Sequence, residues 1–403
     1  MRQIAEAYVR LVLAVGRHDP AYVDAYYGPA EWQRDVGQRV SSLAELSDEA
    51  GRLVEQAMQV EPAGPEDEAR RRFLCGQLRA VKARIAQLSG QGLAFDEESA
   101  AFYDAVAPSH PESYFQATLD QLDGLLPGGG PLVERLDRFR AAFIVQPARL
   151  ADVFERAIDE CRRQTRERVS LPDDESFTVE YVTDKPWSGY NWYKGGHRSV
   201  IQVNTDLPIY IDRAIDLAAH EGYPGHHLFN LLLEQRMVEE RGWVEFTVYP
   251  LFSPESLIAE GTANFGIEVA FPGDSRVRFD RDVLIPLAGL PVADADRYGA
   301  VMRLVSRLSY AGNEAARRYL DGSQDRSATA EWLTRFALMS PARAEQRTRF
   351  MDAYRSYVIN YNLGQDLVRD YIEARGGTAA NPDLRWDLFL ALLQSPRLPS
   401  ELQ

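Results

Sequence analysis

Three histidines and a glutamate fall within eight consecutive residues of this 403-residue chain. They are His220, Glu221, His226 and His227, and the three histidines are half of the six in the chain. Histidine is the commonest transition-metal ligand among side chains, and a glutamate directly after the first histidine is the general base of zinc peptidases. The types and spacing of these residues therefore predict a metal site with hydrolytic chemistry.

The spacing departs from the usual zinc-peptidase motif, in which His-Glu-x-x-His lies on one helix and residues i and i+4 bind one ion. Here position i+4 is Pro224, which cannot donate to the carbonyl of His220, and Gly225 follows. We therefore expect a kink or bulge between the two ligands. A two-residue bulge would bring His226 to the place of i+4, so we predict His226 as the second ligand in preference to His227.

A third ligand is predicted in the segment 256–268. Hydrolytic zinc sites usually take three protein ligands and leave a fourth position for water. Glu260 stands among small residues, which allow a second helix to approach closely. Two imidazoles and one carboxylate suit Zn²⁺. We therefore predict a zinc site formed by His220, His226 and Glu260, with Glu268 two turns on to hold an imidazole N–H.

Most of the chain has the apolar periodicity of helices, for example at 2–16 and 343–374. The region before the metal motif differs, because 177–182 and 199–204 are β-type segments separated by an aromatic- and glycine-rich loop at 187–197. An exposed strand there could hold an extended substrate by main-chain pairing. An ordinary hairpin that caps the helical core explains the segments equally well. The sequence predicts a mainly α protein with a small β-hairpin or sheet beside the metal helix.

Two motifs resemble those of the bacterial domain-of-unknown-function family 885. They are His-Glu-x-x-Pro-Gly-His-His at 220–227 and Glu-Gly-x-Ala at 260–263. The segment 200–204 resembles the strand before the family's metal helix, and 361–365 resembles its Tyr-x-x-Gly element. The family is grouped with the gluzincin metallopeptidases, whose members use two helical histidines and a glutamate on a later helix. The resemblance extends over residues 175–375.

This resemblance implies a role for each matching residue. His220, His226 and Glu260 would bind the metal, Glu221 would be the base, and Tyr361 would lie near the site. A tyrosine hydroxyl in that place would donate to the oxyanion of a tetrahedral intermediate. We therefore predict Glu221 and Tyr361 as the catalytic residues.

The chain departs from the family at the second motif, where Thr262 and Asn264 replace a tryptophan and a leucine. These replacements change the expected shape of the substrate pocket and retain the ligand Glu260. Residues and resemblance together predict a mainly α, zincin-like helical metallohydrolase with two lobes around a cleft. The lobes would be an N-terminal helical lobe at 1–170 and a metal-binding catalytic lobe at 171–403, in one continuous fold.

Charge and composition limit the partners and the location. The net charge of −15 argues against nucleic acid and anionic membranes as partners. The first residues lack the basic head and apolar stretch of a signal peptide, and no segment approaches the ~20 apolar residues of a membrane helix. Only Cys75 and Cys161 occur, which fits a reducing compartment. The sequence therefore predicts a cytoplasmic protein and leaves its oligomeric state open.

The predicted function is zinc-dependent hydrolysis of peptide bonds in short peptides. Glu221 would take a proton from a metal-activated water and pass it to the leaving amine. The helical chain outside the metal region would narrow the cleft and exclude folded proteins. Two alternatives stay open: a metal-dependent enzyme that acts on a non-peptide small-molecule amide or ester, and a non-catalytic metal-containing protein that binds peptides.

Overall fold

The computed structural model describes residues 1–185 and 187–403, and most of the chain in these ranges is helical. The α-helices are α1 (Arg2–Val15), α2 (Ala30–Gln38), α3 (Leu43–Gln59), α4 (Pro65–Leu88), α5 (Phe95–Tyr103), α6 (Glu112–Leu125), α7 (Leu132–Ala141), α8 (Pro147–Arg166), α9 (Asp212–Leu217), α10 (His226–Leu233), α11 (Pro254–Ala270), α12 (Ser275–Phe279), α13 (Ile285–Leu287), α14 (Ala295–Ser306), α15 (Tyr310–Leu320), α16 (Arg326–Phe336), α17 (Pro341–Tyr354), α18 (Ile359–Glu373) and α19 (Pro382–Leu393). Short π-helical turns span Ala218–Gly222, Glu234–Glu239 and Asp280–Leu284. Short 3₁₀ turns span Val244–Thr247, Val292–Asp294, Arg355–Val358 and Pro399–Leu402. The predicted mainly α class is confirmed.

The strands are β1 (Val23–Tyr26), β2 (Ser176–Val182), β3 (Gly189–Gly195), β4 (Arg198–Asn204) and β5 (Val248–Pro250). The order of the three-stranded sheet is β2-β4-β3, with β4 parallel to β2 and antiparallel to β3, and β1 pairs antiparallel with β5. The predicted segments at 177–182 and 199–204 are thus neighbouring strands. The segment between them, expected to be a loop, contains a strand of its own. Gly195 and Gly196, with φ of 73° and 60°, supply the tight turn that folds β3 onto β4.

The apolar side chains of the first helix lie on one face and are buried in the core. Ile4, Tyr8 and Leu11 recur at helical spacing on α1 and are buried. Local capping adds to this pattern at α3, where the amide of Glu45 donates to Ser42 Oγ and the amide of Ser42 donates to Glu45 Oε2, at 3.3 and 2.8 Å. Helices at the start of the chain are therefore specified both by their apolar faces and by their caps.

Two apolar cores hold the helices together. One joins buried residues between 4 and 136 with others between 248 and 363. The second joins Phe73 and residues from 143 onward with the C-terminal helix α19. Each core thus draws on both sides of residue 170, as one continuous fold would. The division into lobes at 1–170 and 171–403 stays a prediction.

The helices α11 and α18 cross at a contact between two glycines. A Cβ atom on Gly261 would lie 2.4 Å from the backbone of Gly364, and a Cβ on Gly364 would lie 2.6 Å from the carbonyl oxygen of Leu257. Any larger residue would push the helices apart. The glycine of the Tyr-x-x-Gly element therefore brings α18 against the helix that carries Glu260.

No helix in the described ranges is long and apolar enough to cross a bilayer. The cytoplasmic location stays a prediction.

Candidate metal centre

The two predicted histidine ligands stand on either side of a break between α9 and α10. The chain leaves α9 through the π-helical turn at 218–222, passes a cis Tyr223–Pro224 bond and begins α10 at His226. Gly225 lies so close to this turn that a Cβ atom there would be 2.0 Å from the carbonyl oxygen of His220. The irregularity expected from Pro-Gly is therefore present, and glycine is required at the second of its positions.

Three possible metal-ligand atoms come together at this break, two from the histidines on either side of it and one from α11. The Nε2 atoms of His220 and His226 are 3.1 Å apart, and Glu260 Oε2 on α11 lies 3.2 and 3.8 Å from them. His220, His226 and Glu260 thus form a group whose atoms could hold one metal ion. Tetrahedral zinc with bonds of about 2.0–2.1 Å places its ligand atoms ~3.3 Å apart. The spacing of the three atoms fits that requirement.

Glu260 Oε2 supports the same interpretation, because this buried atom meets no donor in hydrogen-bond geometry among the described residues. An unpartnered buried carboxylate oxygen is costly unless a cation satisfies it. The other oxygen, Oε1, accepts from the hydroxyl of Tyr357 at 2.8 Å. The carboxylate of Glu260 is therefore held on one side and directs its free oxygen at the two imidazoles.

Asn264 orients the first histidine. Its amide group donates to the carbonyl of Tyr361 at 2.8 Å, so its oxygen faces His220 Nδ1 at 3.0 Å. His220 therefore carries its proton on Nδ1, and the lone pair of Nε2 faces His226 Nε2 and Glu260 Oε2. Glu268, predicted for this task, instead accepts from Gln365 and Arg369, at 2.9 and 2.7 Å. That prediction is wrong, because the side chain of Asn264 lies one turn closer to the imidazole.

The charges of the three groups reinforce one another. Burial lowers the pKa of His220, but the neighbouring carboxylates of Glu260 and Glu221 outweigh it and raise the pKa to about 9. Burial acts to raise the pKa of Glu260, and the two histidines lower it well below its usual range. The two carboxylates thus favour positive charge in the space between these side chains, as a bound cation would supply.

Glu221 is buried beside the three donor atoms. Its backbone carbonyl accepts from Asn191 Nδ2 at 2.7 Å, which ties the π-helical turn to β3. Its carboxylate packs on Gly189, where a Cβ atom would come within 2.8 Å of Oε1. Burial raises the pKa of Glu221, and the charges of His220 and His226 oppose the rise. A buried carboxylate with a raised pKa therefore lies next to the candidate ligands.

His227 points away from this group. Its side chain is fully buried, with Nδ1 2.8 Å from Ser199 Oγ and Nε2 3.1 Å from Glu175 Oε1. The structure therefore brings His226, and not His227, to His220 and Glu260. His227 instead connects α10 to β4 and to the loop before β2.

Tyr361 and Tyr357 occupy different places near Glu260. Burial and the charge of Glu260 raise the pKa of Tyr361, which lines the cavity. Tyr357 contacts Glu260 directly, and sequence reasoning did not assign it a role. The prediction of one continuous helix over 343–374 is also wrong, because α17 ends at Tyr354 and a 3₁₀ turn follows.

The helix break has a clear cause. Buried Glu98 accepts from the amide and hydroxyl of Ser356, at 3.1 and 2.6 Å, and from Arg355 Nε at 2.6 Å. Arg355 adopts a positive φ of 51° at the break. The turn that follows presents the Tyr357 hydroxyl to Glu260. The spacing of the tyrosines at 354, 357 and 361 could not have revealed this turn, because the same spacing is compatible with one uninterrupted helix.

The candidate metal centre opens into a cavity of about 830 Å³. Its walls include Gly189, Tyr190 and Asn191 of β3, together with residues of α17 and α18. Trp187 and Tyr190 pack against each other there, with ring centroids 5.3 Å apart and ring planes tilted by 38°. The metal centre, the edge strand and an aromatic wall thus share one space.

Comparison with known proteins leaves the family of the chain open. No family model matches it, and no curated protein matches it. The chain is similar to the solved structure of a candidate lipoprotein from Colwellia psychrerythraea, with a TM-score of 0.54 and 15% identity over 91% of this chain and 66% of that one. A candidate lipoprotein of unknown function from Shewanella oneidensis has a TM-score of 0.46 and 12% identity, over 90% and 75% of the two chains. Trypanosoma cruzi Metallocarboxypeptidase 1 has a TM-score of 0.42 and 12% identity, over 100% and 93%.

The likeness to the Colwellia protein shows a shared fold, whereas the other two structures have TM-scores below 0.5. The chain spans 66% of the length of the Colwellia protein. The resemblance to family 885 is not confirmed by any of these comparisons.

Proposed function

We propose that this protein is a zinc-dependent hydrolase that cleaves peptide bonds in short peptides. The observation that carries the proposal is the convergence of His220, His226 and Glu260 next to the buried carboxylate of Glu221. A structural zinc site normally has four protein ligands and needs no base beside it. Three ligands with an adjacent carboxylate are the arrangement of a hydrolytic site.

A zinc ion held by these three residues would supply a Lewis acid that polarises the scissile carbonyl and lowers the pKa of a water. Glu221 takes the proton from that water and returns it to the leaving amine. Its burial suits this exchange, because a carboxylate with a raised pKa holds the transferred proton more readily. The hydroxyl of Tyr361 donates to the oxyanion that forms at the attacked carbonyl.

The surroundings of the site favour a short, extended substrate. β3 ends the three-stranded sheet, and its residues Gly189 to Asn191 line the cavity. An edge strand can pair with the main chain of a peptide. A cavity of about 830 Å³ has the size of a small-molecule or peptide site and not that of an open protein-binding groove. We infer that oligopeptides are cleaved well before folded proteins.

The test compares the wild type with Glu221→Gln for metal content and for cleavage of a fluorogenic peptide library. The wild type should hold one zinc ion per chain and cleave peptides. Glu221→Gln should keep the metal and lose turnover by about 10²–10⁴-fold, the usual contribution of a general base. Glu268→Gln is the matched control, because Glu268 also lines the cavity but pairs with Arg369.

Full activity in Glu221→Gln, or equal losses in both variants, would remove Glu221 from the role of base. Stoichiometric metal without cleavage of any peptide would redirect the proposal to non-peptide amides and esters, which the same chemistry can hydrolyse.

A further inference from the structure

Two arginines on α17 face the cavity without an acidic partner among the described residues. Arg343 and Arg347 are one helical turn apart, and both line the cavity. The Nε atom of Arg347 is buried and has no hydrogen-bond partner. By contrast, Arg349 on the same helix pairs with Glu345 at 3.2 Å. The face of α17 that meets the cavity therefore carries positive charge that the protein does not neutralise.

The surroundings of Arg347 are aromatic. Its guanidinium lies over the rings of Phe350 and Tyr361, with 4.6 and 5.9 Å between Cζ and the ring centroids. Burial lowers the pKa of Arg347 from its usual value. A guanidinium nevertheless stays charged in proteins, so its desolvation must be offset by an anion. The aromatic faces hold the group in place and leave its N–H donors for a ligand.

Arg347 is close to the candidate metal centre through a short series of contacts. Its neighbour Tyr361 lies against Tyr357, with ring centroids 5.8 Å apart. Tyr357 donates to Glu260, and Asn264 donates to the carbonyl of Tyr361. Two tyrosines therefore separate the guanidinium from the donor atoms of the metal centre.

The other described arginines that line the cavity each lie within 4 Å of a carboxylate, including Arg303, which is 3.7 Å from Asp274. Arg213 and Arg276 contact Asp216 at 3.2 and 2.8 Å, and Arg140 lies 3.9 Å from Asp212. Among the described residues that line the cavity, Arg343 and Arg347 are therefore the arginines without a carboxylate partner. A planar guanidinium held against aromatic rings suits a single carboxylate, which it binds through two parallel hydrogen bonds.

We propose that Arg347 binds the free α-carboxylate of the peptide substrate, so that the protein removes residues from the C-terminus of peptides. The inference rests on the proposed peptide hydrolysis. With the C-terminus held at α17, the part of the cavity along β3 is left for the residues on the N-terminal side of the cleaved bond. Arg347 is then the residue that selects the end of the chain.

Binding tests the inference without catalysis. In the metal-loaded Glu221→Gln protein, calorimetry compares an N-acetylated peptide as free acid with the same peptide as C-terminal amide. The free acid should bind roughly 100-fold more tightly, as expected for a desolvated Arg–carboxylate pair. Adding Arg347→Met should remove the difference, and Arg347→Lys should retain a smaller one. Arg349→Met, on the same helix but paired with Glu345, should keep the full preference.

Turnover by the wild type provides the second measurement, with mass spectrometry of the products. Cleavage should begin at the C-terminus of free-acid peptides, and Arg347→Met should raise their KM about 100-fold with a smaller change in kcat. Circular dichroism of both Arg347 variants separates a loss of carboxylate recognition from a loss of folding, and Arg347→Lys retains the charge in case the methionine variant does not fold.

Failures of the two proposals are distinguishable. Hydrolysis with equal rates for acid and amide, or a preference that survives Arg347→Met, overturns the role of Arg347 and leaves peptide hydrolysis intact. Loss of the preference in Arg343→Met alone overturns the assignment to Arg347. A preference for a free N-terminal amine would also overturn it and would direct attention to Asp24, an acid in the same cavity. Acid-selective binding that depends on Arg347 without any hydrolysis contradicts the enzymatic proposal instead.

Discussion

Asn264 accepts a hydrogen bond from His220 Nδ1 at 3.0 Å and thereby fixes which nitrogen of the imidazole faces the metal centre. The orientation of the amide is itself determined, because its nitrogen donates to the carbonyl of Tyr361. One residue of α11 thus sets the tautomer of a proposed ligand and connects it to α18. In the sequence the same residue was only a departure from a family pattern.

Removing this hydrogen bond should weaken metal binding. Asn264→Ala leaves His220 free to rotate and to exchange its tautomer, so zinc affinity should fall about 10–100-fold. Competition with a chromogenic chelator measures the change. Asn230→Ala is the control, because Asn230 lines the same cavity but donates only to the backbone carbonyl of His226. Equal affinity in Asn264→Ala and wild type would show that the hydrogen bond does not orient the ligand.

The adjacent histidines should separate metal binding from stability. His226→Ala should strip the metal, because a three-ligand site has no spare donor. His227→Ala should keep the metal and lower the free energy of unfolding by about 1–3 kcal/mol, since Ser199 and Glu175 both lose their contact with the imidazole and Glu175 keeps only Arg162 and Arg166, at 3.5 and 3.8 Å. Metal analysis and thermal unfolding of both variants provide the measurement. Loss of metal in His227→Ala with a metal-loaded His226→Ala would reverse the assignment.

Two tyrosines near Glu260 should act on different properties. Tyr357→Phe removes the donor to Glu260 Oε1, so it should weaken zinc affinity by about 10-fold or more. Tyr361→Phe should keep the affinity and lower kcat by about 10²–10³-fold, as loss of an oxyanion donor does. Chelator competition and steady-state kinetics on the same preparations compare the pair. A catalytic defect confined to Tyr357→Phe would transfer the oxyanion role to Tyr357.

The sequence predicted those parts of the site that depend on local spacing. His220, Glu221 and His226 lie within seven residues, and the Pro224–Gly225 irregularity follows from the backbone chemistry of those two residues. Their placement around Glu260 agrees with the expected cluster, while their roles stay predictions. Proximity along the chain explains this success.

The remaining parts depend on distant partners. Tyr357 reaches Glu260 only because Glu98, 257 residues before Arg355, ends α17 at that point. The segment that forms β3 was expected to be a loop, because its glycines and aromatic residues show no clear alternation of polar and apolar side chains. Pairing with β4 nevertheless makes it a strand. Such tertiary contacts override local pattern, and a single sequence does not reveal them.

Buried Glu255 should make stability fall as pH rises. It lies at the start of α11, where Gln77 Nε2 is its hydrogen-bond partner at 3.4 Å, and burial raises its pKa to about 8. Between its unfolded pKa of about 4.3 and pH 8, the unfolded chain has lost this proton and the folded protein keeps it. The free energy of unfolding should therefore decrease with pH in this window, by at most about 1.4 kcal/mol per pH unit.

Glu255→Gln stays neutral in both states, so its stability relative to wild type should increase from pH 5 to pH 8. Denaturant unfolding across this range tests it, with Glu155→Gln as the control for an exposed glutamate. A difference between Glu255→Gln and wild type that does not change with pH would mean that Glu255 is ionised in the folded protein.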